Sequence, residues 1–256
     1  MIELSDEMLG TIVPIILYWV YAGIYGVLGH VDKFRLHPAA KEEENLVSKK
    51  EVIFGVLLQQ AIQAAVATVL YAVQGKPAVE NETPAHVSPL VISVQFLVAM
   101  VVMDTWQYFM HRYLHHNQFL YKHVHSQHHR LVAPYAFGAL YNHPLEGLLI
   151  DTGGGALSFL LSGMSPRASI FFFSFATLKA VDDHCGMWVP RNPFRFIFSN
   201  NSGYHDVHHQ LGGNKFNFSQ PFFITWDRVL GTHMPYVVEE REGGGLQARM
   251  VKKKIV

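Results

Sequence analysis

Residues 111–129 read HRYLHHNQFLYKHVHSQHH, and the reading of this stretch decides the fold. Seven of its nineteen residues are histidine, and a second cluster, HDVHH, occupies 205–209. His143 and His184 stand between them. Twelve of the sixteen histidines in the chain therefore fall within 111–209, which points to one site rather than scattered surface use. Neutral imidazole is the commonest protein ligand for transition metals, and i, i+3 and i+4 spacing places several rings on one helical face.

Working outward, the flanks are apolar. Half of the 256 residues are apolar and 16% are charged, against about 25% charged in ordinary soluble domains. Residues 11–29 carry no charge, which is close to the length that spans a ~30 Å hydrocarbon core. Residues 52–73 form a second uncharged run, with Gln59, Gln60 and Gln63 expected to face other helices. Residues 90–110 form a third apolar span, interrupted by Asp104, which leads directly into the histidines. Beyond them, 147–163 and 168–181 are short apolar runs that predict a tight helical hairpin entering the membrane and returning. The expected fold class is therefore an all-α integral membrane protein. One domain spans 1–256, with three long transmembrane helices, a hairpin over about 147–181, a histidine-rich metal-binding cap from 111–144 and 184–235, and a tail over 236–256.

Basic residues in short loops mark the cytoplasmic side. The 30–51 loop holds Lys33, Arg35, Lys41, Lys49 and Lys50, whereas the loops assigned to the other side hold only Lys76 and Arg167. This partition puts the N-terminus in the lumen and the cap and C-terminus in the cytosol. The acidic Glu3, Asp6 and Glu7 near the N-terminus do not look like the start of a cleaved signal peptide. Asn81-Glu82-Thr83 is a glycosylation acceptor pattern on the lumenal side. Lys253 and Lys254 match a cytosolic di-lysine retrieval address of the endoplasmic reticulum, a signal read by a receptor. The single cysteine, Cys185, excludes an intrachain disulfide and reads as a packing residue.

The candidate ligands are His111, His115, His125, His128, His129, His184, His205, His208 and His209; by spacing, His116 can stand in for His115. Nine imidazoles exceed the three or four protein ligands of a zinc site, and two metals with four or five each would use them. Imidazole suits iron as well as zinc, so ligand type leaves the metal open. HExxH and Glu-x-x-His are both absent, so neither the zinc protease nor the carboxylate di-iron bundle finds its motif. A membrane metal-binding or transport protein remains the non-catalytic alternative. His30 and His37 read as loop residues. Asp104 shares a helical stripe with Tyr108, His111 and His115, so it is expected to orient a ligand ring; Asp182, Asp183 and Asp206 are candidates for the same task. Phe216, Phe218, Phe222, Phe223 and Trp226 read as packing residues or as the lid of a lipid cleft.

HRYLH at 111–115, HSQHH at 125–129, NHP at 142–144, DDHCG at 182–186, HDVHH at 205–209 and WDRVLGT at 226–232 together resemble the fatty acid hydroxylase and sterol desaturase superfamily of membrane di-iron oxygenases. Within it, the compact length and the wording of 111–131 are most similar to the plant sphinganine 4-hydroxylases. The resemblance implies two iron ions, dioxygen, and electrons from cytochrome b5 and its reductase. It also implies a long-chain sphingoid base or ceramide hydroxylated at carbon 4 in the endoplasmic reticulum. A sterol or fatty acyl lipid is the alternative substrate. Ala180 stands where some relatives carry a further ligand, which leaves His143 or a water as the tenth.

Overall fold

The computed structural model describes residues 4–74 and 87–251. Lys76, the acceptor pattern at Asn81, and Lys253 and Lys254 lie outside the described residues. Three long helices come first: α1 (Asp6–Leu28), α2 (Lys49–Gln74) and α3 (Pro89–His116). Each begins on a sequence signal. Ser5 caps α1, with Asp6 and Glu7 in its first turn, where carboxylates complement the exposed N–H groups. Ser48 and Glu51 form a reciprocal capping box at α2, with the Glu51 amide donating to Ser48 Oγ at 3.2 Å and the Ser48 amide to Glu51 Oε2 at 2.9 Å. Ser88 caps α3 and Pro89 supplies its first turn.

All three are long and apolar enough to cross a membrane, and only 22%, 22% and 17% of their apolar windows is buried inside the protein. Ile16, Val20, Phe54, Leu57, Leu90 and Leu97 point outward and are exposed. A soluble protein rarely leaves so much contiguous apolar surface in water, whereas hydrocarbon solvates it, so this is a membrane protein. At 28 residues, α3 is about 42 Å long, more than a ~30 Å hydrocarbon core. It is therefore long enough to cross that layer and still carry its last turns, with His111 and His115, beyond it.

The hairpin follows. It runs through α5 (Pro144–Glu146), a wide turn over Gly147–Thr152, α6 (Gly153–Ser162) and α7 (Pro166–Asp183), with the short α4 (Gln118–His123) preceding it. It begins at Pro144 rather than 147 because His143 caps α5, accepting from the Leu145 amide at 3.2 Å. Gly163, at φ +65°, ends α6 in the left-handed conformation. Gln95 Nε2 on α3 donates to Gly163 O at 2.8 Å. The hairpin tip thus lies level with a residue sixteen positions before His111, roughly 24 Å along the helix. The hairpin packs α7 along α1 and α6 along α3. Gly154 permits the second contact, since a Cβ there would stand 3.0 Å from Trp106 Cδ1.

One core joins Tyr18, Ala22, Val52, Val56, Leu131 and Val181, and a second joins Ala99, Met103, Phe172, Phe198 and Phe222. The cap holds α8 (Pro193–Ile197), α9 (Ser202–His209) and α10 (Thr225–Val229). It ends in an antiparallel ribbon, β1 (Tyr236–Glu240) with β2 (Leu246–Met250). The ribbon is a two-stranded addition to a fold that is otherwise mostly helical, as expected. Gly243, Gly244 and Gly245 adopt φ of 86°, 97° and 78°, which reverses the chain. Ala248, Val238 and Leu246 then pack on Val207 and Leu36, behind α9.

Candidate metal centre

The nine histidines converge as two groups. His111, His115, His125, His129 and His208 form one, and His128, His184, His205 and His209 the other; within each, the ring nitrogens lie within 4.8 Å of one another. Two short segments serve both groups. The tight 3-10 turn His125–Arg130 directs His125 and His129 to the first and His128 to the second. Helix α9 directs His208 to the first and His205 and His209 to the second. α3 completes the first with an i, i+4 pair, and the C-cap of α7 completes the second with His184. The rings of His129 and His209, one from each group, have centroids 4.7 Å apart, so the groups adjoin.

The outer ring nitrogens are tied down. Nδ1 of His111 bonds Phe218 O at 2.9 Å, that of His128 bonds Tyr141 O at 3.3 Å, and that of His184 bonds Ala180 O at 2.7 Å. His208 Nδ1 bonds Phe216 O at 2.7 Å and His209 Nδ1 bonds Leu131 O at 2.9 Å. A carbonyl only accepts, so each of these Nδ1 atoms carries the proton, and in a neutral ring Nε2 is left with a bare lone pair. Bare Nε2 atoms nevertheless face one another, at 3.1 Å for His111 and His125 and 3.1 Å for His128 and His209. Two acceptors repel unless a cation lies between them. His208 Nε2 is likewise buried without a hydrogen-bond partner. The donor set therefore fits metal ions.

Burial comes first among the causes that disfavour ring protonation, followed for most rings by the neighbouring imidazoles. It holds His125, His129, His205 and His209 well below the ordinary histidine range. His128 is pulled down to about 4, and His184 and His208 to about 3. The rings are thus neutral at physiological pH, the state in which they bind metal.

The acids expected to orient ligand rings do other work. Asp104 accepts from the Phe222 and Phe223 amides at 3.0 and 2.6 Å. It lies on the predicted stripe but pins the loop that carries Phe218 O rather than touching a ring. Asp183 is paired with Lys179, a cation buried four residues away that requires it. Asp182 binds Tyr25 and Asn192, and Asp206 binds His37 and Gln210. His143 caps α5 and stands outside both groups, and His116 is exposed. Phe218 and Phe222 are buried in packing, and Trp226 stacks on Tyr108, as the packing reading of these rings expects.

The carboxylate that does reach a ring is Glu146, whose Oε1 lies 2.7 Å from His125 Nδ1. Sequence reasoning missed it, although it follows the NHP motif by two positions. Asp227 was also missed. Fully buried, it accepts from Tyr204 Oη and from the Phe218 and Ser219 amides at 3.1 and 2.7 Å, which fixes the carbonyl that His111 uses. The Trp-Asp pair opening WDRVLGT was the available signal.

Below the rings lies a cavity of about 270 Å³, bordered by His111, His125, His128, His184 and His205 and extending between α1, α2, α6 and α7 to Gly10, Leu70 and Leu160. Its far wall is apolar, which suits an alkyl chain.

Comparison with known proteins follows the same outline. The model of the fatty acid hydroxylase family matches residues 96–232. Sphinganine C4-monooxygenase 1 of Arabidopsis thaliana is 64% identical over 250 residues, covering 97% of this chain and 96% of its own length. Very-long-chain aldehyde decarbonylase GL1-9 of Oryza sativa subsp. indica is 60% identical, with 97% and 96% covered. Sphingolipid C4-hydroxylase sur2 of Schizosaccharomyces pombe is 42% identical, with 87% and 86% covered. No solved structure matches the chain.

Proposed function

This chain belongs to the fatty acid hydroxylase family, and we propose that its two histidine groups hold a pair of iron ions beside which carbon 4 of a sphingoid base is hydroxylated. The protein is a membrane monooxygenase of sphingolipid metabolism. The observation that carries the metal assignment is the set of opposed Nε2 lone pairs, whose Nδ1 protons are committed to carbonyls. Bound iron supplies the redox chemistry that activates dioxygen toward an unactivated C–H bond.

The chain's own residues do the rest. Glu146 accepts from His125 Nδ1 and makes that ring more electron-rich. Asp227 and Asp104 hold the 218–223 loop, and through it the orientation of His111. The cavity keeps the alkyl chain within the bilayer region and leads it to the rings. We assign the electron supply to cytochrome b5 and its reductase, and the location to the endoplasmic reticulum with the cap facing the cytosol. The family resemblance supports the first assignment, and the loop charges support the orientation.

Expression in a host lacking 4-hydroxylated bases tests the reading. Lipid mass spectrometry should show trihydroxy bases with the parent chain and lose them with His125→Ala and with His208→Ala. Product from both variants at the parent's rate rejects the assignment. A second reading, action on a very-long-chain aldehyde, is favoured by the name of the rice relative; consumption of an added aldehyde without base hydroxylation would establish it.

A further inference from the structure

Three acids border the cavity among the described residues: Glu146, Asp151 and Asp183. Both oxygens of Asp183 are taken by Lys179. Glu146 places Oε1 on His125 and leaves Oε2 buried with no partner. Asp151 accepts one bond, from Asn142 Nδ2 at 3.0 Å. Gln60 also lines the cavity and is 4% exposed. Its Oε1 accepts from Trp19 Nε1 at 2.9 Å, which turns the amide so that Nε2 is left without a partner. A buried polar atom left without a partner is destabilising, so the cavity wall is built for a ligand with its own donors and acceptors. Away from these groups the wall is Ile15, Ala64, Ala67, Leu70, Phe159 and Leu160.

We propose that Asp151, Glu146 and Gln60 form a headgroup subsite that selects a free long-chain base, through its ammonium, over the N-acylated lipid. The proposal rests on the functional reading above, since it assumes that carbon 4 is the carbon presented to the rings. The ammonium is on carbon 2, two bonds away, so whatever reads it must stand close beneath the rings. Glu146 touches His125, and Asn142, which holds Asp151, follows Tyr141, whose carbonyl binds His128. A carboxylate in an apolar cavity is destabilised unless a cation compensates it. An ammonium does so, and a neutral amide does not. Gln60 Nε2 donates to a hydroxyl oxygen of the same head.

The test uses the full-length chain, iron-loaded, in detergent, supplied with dioxygen and with electrons from NADH through cytochrome b5 and its reductase, with sphinganine and N-acetylsphinganine as substrates and mass spectrometry of the 4-hydroxy products. The parent favours sphinganine. Asp151→Asn lowers the ratio of kcat/KM for free base over N-acyl lipid by about tenfold or more, through KM, with bound metal equal to the parent's. A parent that prefers N-acetylsphinganine, or an Asp151→Asn enzyme that keeps the parent's ratio, overturns the subsite. Should that variant fail to accumulate, the parent alone decides. Octadecylamine raises its thermal midpoint and octadecanamide does not, whereas equal shifts overturn the proposal. Metal-loaded parent that hydroxylates neither lipid overturns the functional reading, and the subsite with it.

Discussion

At the scale of single residues, the site is built on proton placement. Five carbonyls fix which nitrogen of five rings is bare, and a carboxylate does the same for His125. Replacing that carboxylate with an amide of the same shape should lower metal affinity about 10- to 100-fold. Metal retained by Glu146→Gln after dialysis against a chelator measures this, and retention equal to the parent's would contradict it. The lowered ring pKa values fix a pH dependence as well. In the unfolded chain these histidines titrate near ~6.5; in the fold His128 titrates at about 4 and His184 and His208 at about 3. Between those limits the unfolded chain binds more protons, so the stability these rings contribute is complete above about 6.5 and declines as pH falls. Thermal midpoint and metal content of the purified protein should both drop between pH 6.5 and 4; flat profiles across that window would refute the claim. The candidate ligands were legible one residue at a time because imidazole is chemically distinctive. Their supports were not, because a backbone carbonyl leaves no mark in the sequence.

At the scale of elements, the HxxHH spacing acquires a meaning that neither box reveals alone. A tight turn and α9 each split their histidines between the two groups, so both groups depend on how these two segments are set against each other. Gly186 is one point of that setting. It has φ +64°, and a Cβ there would lie 2.3 Å from Pro134 O, a backbone atom that has no side-chain freedom to yield. Gly186→Ala should therefore cost more than the roughly 1–2 kcal/mol that an L-residue pays in the left-handed region alone. It should also loosen His184, with loss of metal from the second group first. Metal stoichiometry and thermal unfolding read this, and a variant that matches the parent in both would refute it. The Asp104 stripe shows what periodicity can and cannot say. It placed the carboxylate on the correct face of α3, but its partners come from residues 222 and 223, more than a hundred positions away.

At the scale of the whole molecule, three helices sheathed in exposed apolar side chains carry a polar, histidine-filled cap at one end. With that cap in the cytosol, Leu46 and Val87, which are 65% and 52% exposed, lie on opposite sides of the membrane. Leu46→Cys should react with an impermeant maleimide in sealed microsomes, and Val87→Cys only after permeabilisation. Background is low because Cys185, the single native cysteine, is buried. The reverse pattern would invert the orientation. Hydropathy runs, capping residues and histidine spacing are local properties, and they sufficed to expect three long apolar helices, a helix pair after them and a clustering of histidines, since hydrocarbon demands long unbroken helices and metals demand particular donors. The division of those rings into five and four, the choice of Glu146 over the suspected aspartates, the β-ribbon behind α9 and the polar end of the cavity were decided by tertiary structure. Each depends on which distant backbone or side-chain atoms packing brings within hydrogen-bond reach, and spacing along a chain does not encode that.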